Sequence, residues 1–240
     1  NDVLLTDVDR TETEFKKWDW IAFGLVFLLT CYLMFTTFGM KDGNMLIGIH
    51  QSSDYGSTVS IAQSFARGHN FPTEFTHFSG ERIRYHFLFY FQVGNLSYLG
   101  FSPAFANNVL AVFSMGSMLI LVMTLGALVF GSRVIGRIGA ALFFFHGTLS
   151  FWTLFKTEGT ISAVVNRLIT SPDFLPSGYQ YRGETWGVWS MVNYANQRHF
   201  ASSIGIFLLV LTFLMIRYKA AEARSAQLKA QAKAEAEALA

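Results

Sequence analysis

Residues 50–86 hold Asp54, Glu74, Glu81, Arg82, Arg84 and the histidines His50, His69, His77 and His86, set between long apolar runs. Ionisable side chains concentrated between membrane spans mark a place of recognition or catalysis. Asp54 has two readings. It opens a helical pattern, with Val59, Ile61, Ala62 and Phe65 at helical spacing and Gly68 as the stop, so it suits an N-cap. A carboxylate there can also face a groove, and His50, four residues earlier, shares its side if the helix begins early. The four histidines have no metal-ligand spacing, and no zinc site is expected. A second polar cluster, residues 194–199, includes Arg198 and His199 and borders another apolar run; an interfacial helix cap is its plainer reading.

The elements that position these groups follow from composition. The chain has 240 residues, 52% hydrophobic and only 14% charged, with 25 phenylalanines. A soluble domain is nearer a quarter charged, so the class is an all-α integral membrane protein. One cysteine, Cys31, excludes an intrachain disulfide and a cysteine metal cluster. There is no P-loop, no dinucleotide fingerprint and no basic stripe for nucleic acid.

Residues 1–19 form a polar segment, and Trp18 and Trp20 beside Lys16 and Lys17 suit an interfacial belt. Residues 20–40 carry no charged residue and make a first span, with no cleavage site of a signal peptide after it. The run 85–132 has no Asp, Glu, Lys or Arg for 48 residues. The runs 138–155 and 199–216 have none for 18 residues each.

The bias of Lys and Arg toward the cytoplasm arbitrates. With the N-terminus inside, Arg133/Arg137 and Arg217/Lys219 fall inside only if residues 85–100 lie along the membrane surface. Gln92, Gly94, Asn95 and Ser97 would be poor lipid-facing residues, whereas Tyr85, Phe89, Tyr90 and Tyr98 suit an interface. Four spans are therefore expected, at about 20–40, 105–131, 136–155 and 199–217; a five-span arrangement is the alternative. Loops 41–104 and 156–198 would be extracytoplasmic. Residues 218–240, rich in Ala, Glu, Lys and Gln, would be a cytoplasmic helical or frayed tail.

A span, an acidic residue opening a short helix, SIAQSFARGHNFP, a Tyr-rich RYHFLFYF helix, then GFSPAFANNVL entering a span that ends GSRVIGR: this order resembles the N-terminal part of GT-C glycosyltransferases. These are polytopic membrane enzymes that use polyprenyl-phosphate sugars. The resemblance covers residues 18–155 and implies juxtamembrane helices at about 54–67 and 84–100 in the first extracytoplasmic loop. It departs where Tyr55, not a second acid, follows Asp54, and where Ile83-Arg84-Tyr85-His86 precedes the Tyr-rich helix. It also has fewer spans than the family module.

The resemblance implies sugar transfer from a lipid-linked donor on the extracytoplasmic face, in a bacterial inner membrane. Asp54 would be the general base for an acceptor hydroxyl. His50, Arg82, Arg84, His86, Arg198 and His199 would hold the departing phosphate, which needs positive charge or a divalent metal. Ordinary headgroup contact is the plainer reading of Arg82 and Arg84. The alternative function is a non-catalytic transmembrane subunit, a transferase-like scaffold among other membrane subunits. The expected partners are the lipid bilayer, a lipid-linked sugar and such subunits.

Overall fold

The computed structural model describes residues 15–48, 52–147, 151–170 and 190–239. Among these residues three helices are long and apolar enough to cross a membrane: α1 (Lys17–Thr37), α4 (Pro103–Phe130) and α8 (Arg198–Leu239). At 1.5 Å per residue, 21 residues of α1 and 28 of α4 cover ~30 and ~40 Å, enough for the hydrocarbon layer. The helices between them are α2 (Ser52–Gly68), α3 (Leu88–Tyr98), α5 (Arg133–Phe145), α6 (Phe151–Glu158) and α7 (Ile161–Thr170), and a π-helical turn covers Ser190–Tyr194.

Three span-length helices are found where four were expected. The expected span 136–155 begins in α5, but that helix stops after 13 residues, at Phe145, and His146 is extended. Thirteen residues reach only ~20 Å. The His146 ring nitrogen bonds the Phe143 carbonyl at 2.7 Å, which accompanies this stop. The five-span alternative needs residues 85–100 to cross the bilayer. Their helix, α3, has 11 residues and reaches ~16 Å, too short to do so alone.

The chain is also not wholly helical. Directly after α1, β1 (Phe38–Lys41) and β2 (Asn44–Ile47) form an antiparallel hairpin. Asp42 and Gly43 both have positive φ, 51° and 78°, as a tight two-residue turn between right-twisted strands requires. Ser102 caps α4, its Oγ accepting from Phe105 N, with Pro103 in the first turn; Gly131, at φ 64°, ends it.

The core lies between the last turns of α1, the inner faces of α2 and α3, and the facing sides of α4 and α8. Met34, Ile61, Val93, Ala106, Met115, Met118, Ala195 and Ala201 are buried there. Small residues allow the closest approaches. A Cβ on Gly136 would sit 2.3 Å from Met123 O, and one on Gly94 would sit 2.6 Å from Ala62 O. Thus α5 rests on α4, and α3 on α2, almost backbone to backbone, as small residues permit in membranes.

The helices have two distinct ends. At one, Asp19 near the start of α1 is buried and pairs with Arg137 at 2.9 Å and Arg133 at 3.3 Å, both from the first turns of α5. At the other, the end of α1 meets the start of α8 through Thr37 and Arg198. The second end carries the candidate site.

Candidate functional site

Asp54 lies in the first turn of α2, inside the helix rather than at its N-cap. Its backbone carbonyl accepts from Ser57 and Thr58 hydroxyls, at 3.1 and 2.9 Å. Its half-buried carboxylate points away from α2 and toward the second polar cluster. Asn196 Nδ2 donates to Asp54 Oδ2 at 2.9 Å, and Gln197 Nε2 donates to the same oxygen. Among the described residues Oδ1 accepts no hydrogen bond. One carboxylate oxygen is therefore fixed by two amides, while the other has no donor among the described residues.

The segment that carries these amides is itself pinned from below. The Tyr55 hydroxyl donates to Ala195 O at 3.0 Å, and Arg198 Nε donates to the same carbonyl at 3.2 Å. Arg198 is 1% exposed. It donates to Met34 O at 3.0 Å, to Thr37 Oγ1 at 2.9 Å and to Asn108 Oδ1. Its guanidinium also lies over the rings of Phe38 and Tyr55, 5.6 and 5.7 Å from their centres. Asn108 in turn donates to Phe38 O at 2.8 Å. Phe38 and Tyr55 meet edge to face at 4.7 Å. No carboxylate pairs with Arg198 among the described residues, so neutral acceptors and aromatic faces carry the charge inside the fold.

Aromatic and imidazole groups form the other wall. His86 and His199 stack with ring centres 3.6 Å apart, and Tyr90 shares a 2.9 Å hydrogen bond with His199 Nδ1. Burial pushes the Tyr90 hydroxyl far above its ordinary pKa, and the charge of Asp54 adds to this. Tyr85 is raised in the same way, first by burial and then by Asp54. Tyr55 is raised by burial, against the opposing pull of Arg198. His86 is lowered by burial, since the face stacked on His199 is closed to water although the rest of the ring is open. All three tyrosines are thus neutral donors at physiological pH, and His86 is largely neutral there.

The expected residues are distributed unevenly. Asp54, His86, Arg198 and His199 come together. Arg198 is turned inward, its donors bonded to Met34, Thr37, Ala195 and Asn108. Arg82 and Arg84 are exposed and make no ion pair with Asp54; Arg84 pairs with Glu81 at 3.6 Å. Arg82 belongs to a small lobe where its backbone bridges Glu74. His50 lies outside the described residues.

Several members of the site were not singled out as such from sequence: Tyr55, Tyr85, Tyr90 and Asn108; Asn196 and Gln197 lay in the polar cluster 194–199 without a role of their own. The adjacent asparagines Asn107 and Asn108 in an uncharged run were a usable signal, since polar groups inside a membrane demand partners. The pairing of amides with Asp54, more than 140 residues away, left no local trace.

Among the described residues no three His, Cys, Asp or Glu side chains gather closely enough to hold a metal ion. No family model matches the chain, and neither curated proteins nor solved structures give a match.

Proposed function

We propose that this chain is a GT-C-like membrane glycosyltransferase, or part of one, that transfers a sugar from a polyprenyl-phosphate donor on the extracytoplasmic face of a bacterial inner membrane. The observation that carries the reading is the asymmetry of Asp54: among the described residues Oδ2 is held by Asn196 and Gln197 and Oδ1 accepts no bond. A general base needs a fixed direction and a free lone pair, and this arrangement supplies both.

The reaction balances simply. Asp54 Oδ1 takes the proton of an acceptor hydroxyl as its oxygen forms a bond to the anomeric carbon. The bond from that carbon to the phosphate oxygen breaks, and the polyprenyl phosphate leaves with the electron pair. Tyr85 and the His86–His199 pair border the same space and can donate to the departing oxygens. Arg82 and Arg84, exposed on the small lobe that holds Glu74, serve its charge at longer range. Arg198 acts as a positioning residue, holding Ala195 so that the two amides reach Asp54.

The orientation follows from charge. Lys16, Lys17, Arg133 and Arg137 lie at the end marked by Asp19, and Arg217 and Lys219 lie about 30 Å along α8 from the Arg198 end. The excess of Lys and Arg supports a cytoplasmic position for that end and an outer one for Asp54.

A second reading, a non-catalytic subunit of a membrane complex, draws on one observation: with Arg198 turned inward, no charged side chain among the described residues pairs with Asp54. Assay of purified protein in liposomes with a polyprenyl-phosphate sugar separates the two. Asp54→Asn keeps the shape and an acceptor oxygen but cannot take a proton. Transfer should fall at least ~100-fold, with thermal unfolding little changed. Full activity in Asp54→Asn would remove the carboxylate from the mechanism.

A further inference from the structure

We infer that the end of the molecule opposite Asp54 carries a binding site for the headgroup of one anionic phospholipid, centred on Arg137. Asp19 is wholly buried near the start of α1, and its carboxylate takes three bonds: Lys16 N at 2.8 Å, Arg133 at 3.3 Å and Arg137 at 2.9 Å. Two guanidinium groups share this one carboxylate, and it fixes them across the junction of α1 with α5. They are not sealed in, since their side chains are 16% and 24% exposed.

Lys16 and Lys17, exposed just before Asp19 in the chain, bring the cationic side chains at this end to four. Trp18 and Trp20 are 66% and 64% exposed beside them, where indole rings seat at the headgroup layer. Phe15 lies under Arg133, 5.3 Å from its guanidinium carbon, and steadies that group in position. Val134, Ile135 and Ile138, on the first turns of α5, are exposed and apolar, as a surface meeting acyl chains should be. Prearranged guanidinium groups at headgroup depth, above an apolar face and between aromatic anchors, match a phosphodiester carried on two acyl chains. The chemistry is distinct from that of the Asp54 site, and the inference does not depend on the transferase reading.

The test uses the full chain in detergent, titrated with phosphatidylglycerol or phosphatidylcholine and followed by native mass spectrometry and thermal unfolding. Phosphatidylglycerol should bind at one preferred site and raise the unfolding temperature, and phosphatidylcholine should not. Replacing the exposed pair, Lys16→Gln with Lys17→Gln, should weaken the phosphatidylglycerol site about fivefold or more without disturbing the fold. Arg137→Gln should abolish it, whereas Arg137→Lys, which keeps the charge, should retain most of it. Lys41→Gln, in β1 beyond the far end of α1, should leave it unchanged. Equal stabilisation by both lipids, or an undiminished site in both Arg137→Gln and the double lysine variant, would overturn the inference. Equal protection by inorganic phosphate would also overturn it, by making this a free-anion site.

Discussion

Arg198 and Tyr55 converge on one acceptor: the guanidinium carbon of Arg198 stands 5.7 Å from the Tyr55 ring centre, and both side chains donate to the carbonyl of Ala195. Tyr55 opens α2 beside Asp54, and Arg198 opens α8 beside Gln197. The shared carbonyl therefore ties the two polar clusters together below the Asp54 carboxylate.

Tyr55→Phe removes only the hydroxyl and leaves Ala195 O one donor fewer in a buried place. A loss of about 1–2 kcal/mol is expected. Arg198→Met is harsher: Met34 O, Thr37 Oγ1 and Asn108 Oδ1 each lose a donor, and the cost should reach about 3 kcal/mol or more. Chemical denaturation in detergent measures both. If transfer activity is found, both variants should also slow it, because Asn196 and Gln197 lose their anchor. Wild-type stability for Arg198→Met would show that the buried hydrogen bonds are not what holds the segment.

Glycine contacts give a paired comparison within one helix. A Cβ at Gly136 meets backbone at 2.3 Å, whereas one at Gly139 meets nothing within 4 Å. Gly136→Ala should force α5 off α4 and cost about 1–3 kcal/mol. Gly139→Ala should be neutral or slightly stabilising, since Ala is the better helix former. Equal effects from the two would mean that the helices do not approach so closely.

Much of the frame was legible in the sequence. Uncharged runs located α1, α4 and the first half of α8, because a bilayer excludes unpaired charge over ~30 Å. The expected juxtamembrane helices at 54–67 and 84–100 correspond to Ser52–Gly68 and Leu88–Tyr98. The break at His146 was not legible, since hydropathy is blind to where a helix stops when both sides are apolar. The hairpin after α1 had a signal, Asp42-Gly43, but residues up to Met40 also extended an apolar run, and the longer pattern prevailed. The turn of Arg198 inward and the two-arginine grip on Asp19 depend on partners 90 to 164 residues away, which periodicity does not encode.

The stacked imidazoles give a pH dependence with a definite sign. Burial lowers the pKa of His86 from 6.5, so the folded protein resists protonating it more than the unfolded chain does. Above pH 6.5 the ring is neutral in both states and stability has its full value. As pH falls below 6.5 and through the lower folded value, the unfolded chain takes up protons first and stability declines. His86→Phe keeps a flat ring against His199 and should flatten this decline below pH 6.5. An unchanged slope in that variant would assign the decline to other groups.

The orientation proposed above can be tested by labelling. Cys31 lies within α1 and is replaced by Ala to give a background without thiols. Ser57, on α2 three residues after Asp54, and Ser132, at the junction of α4 and α5, then each receive a single cysteine. The two ends are separated by the length of α4, ~40 Å, so one face alone cannot present both. In intact cells a membrane-impermeant thiol reagent should modify Ser57→Cys and spare Ser132→Cys until the membrane is opened. The buried Asp19 bonds Arg133 and Arg137, so the start of α1 and this junction must share one side. Labelling of Ser132→Cys alone would invert the orientation, place Asp54 in the cytoplasm and remove the lipid-linked sugar from its reach.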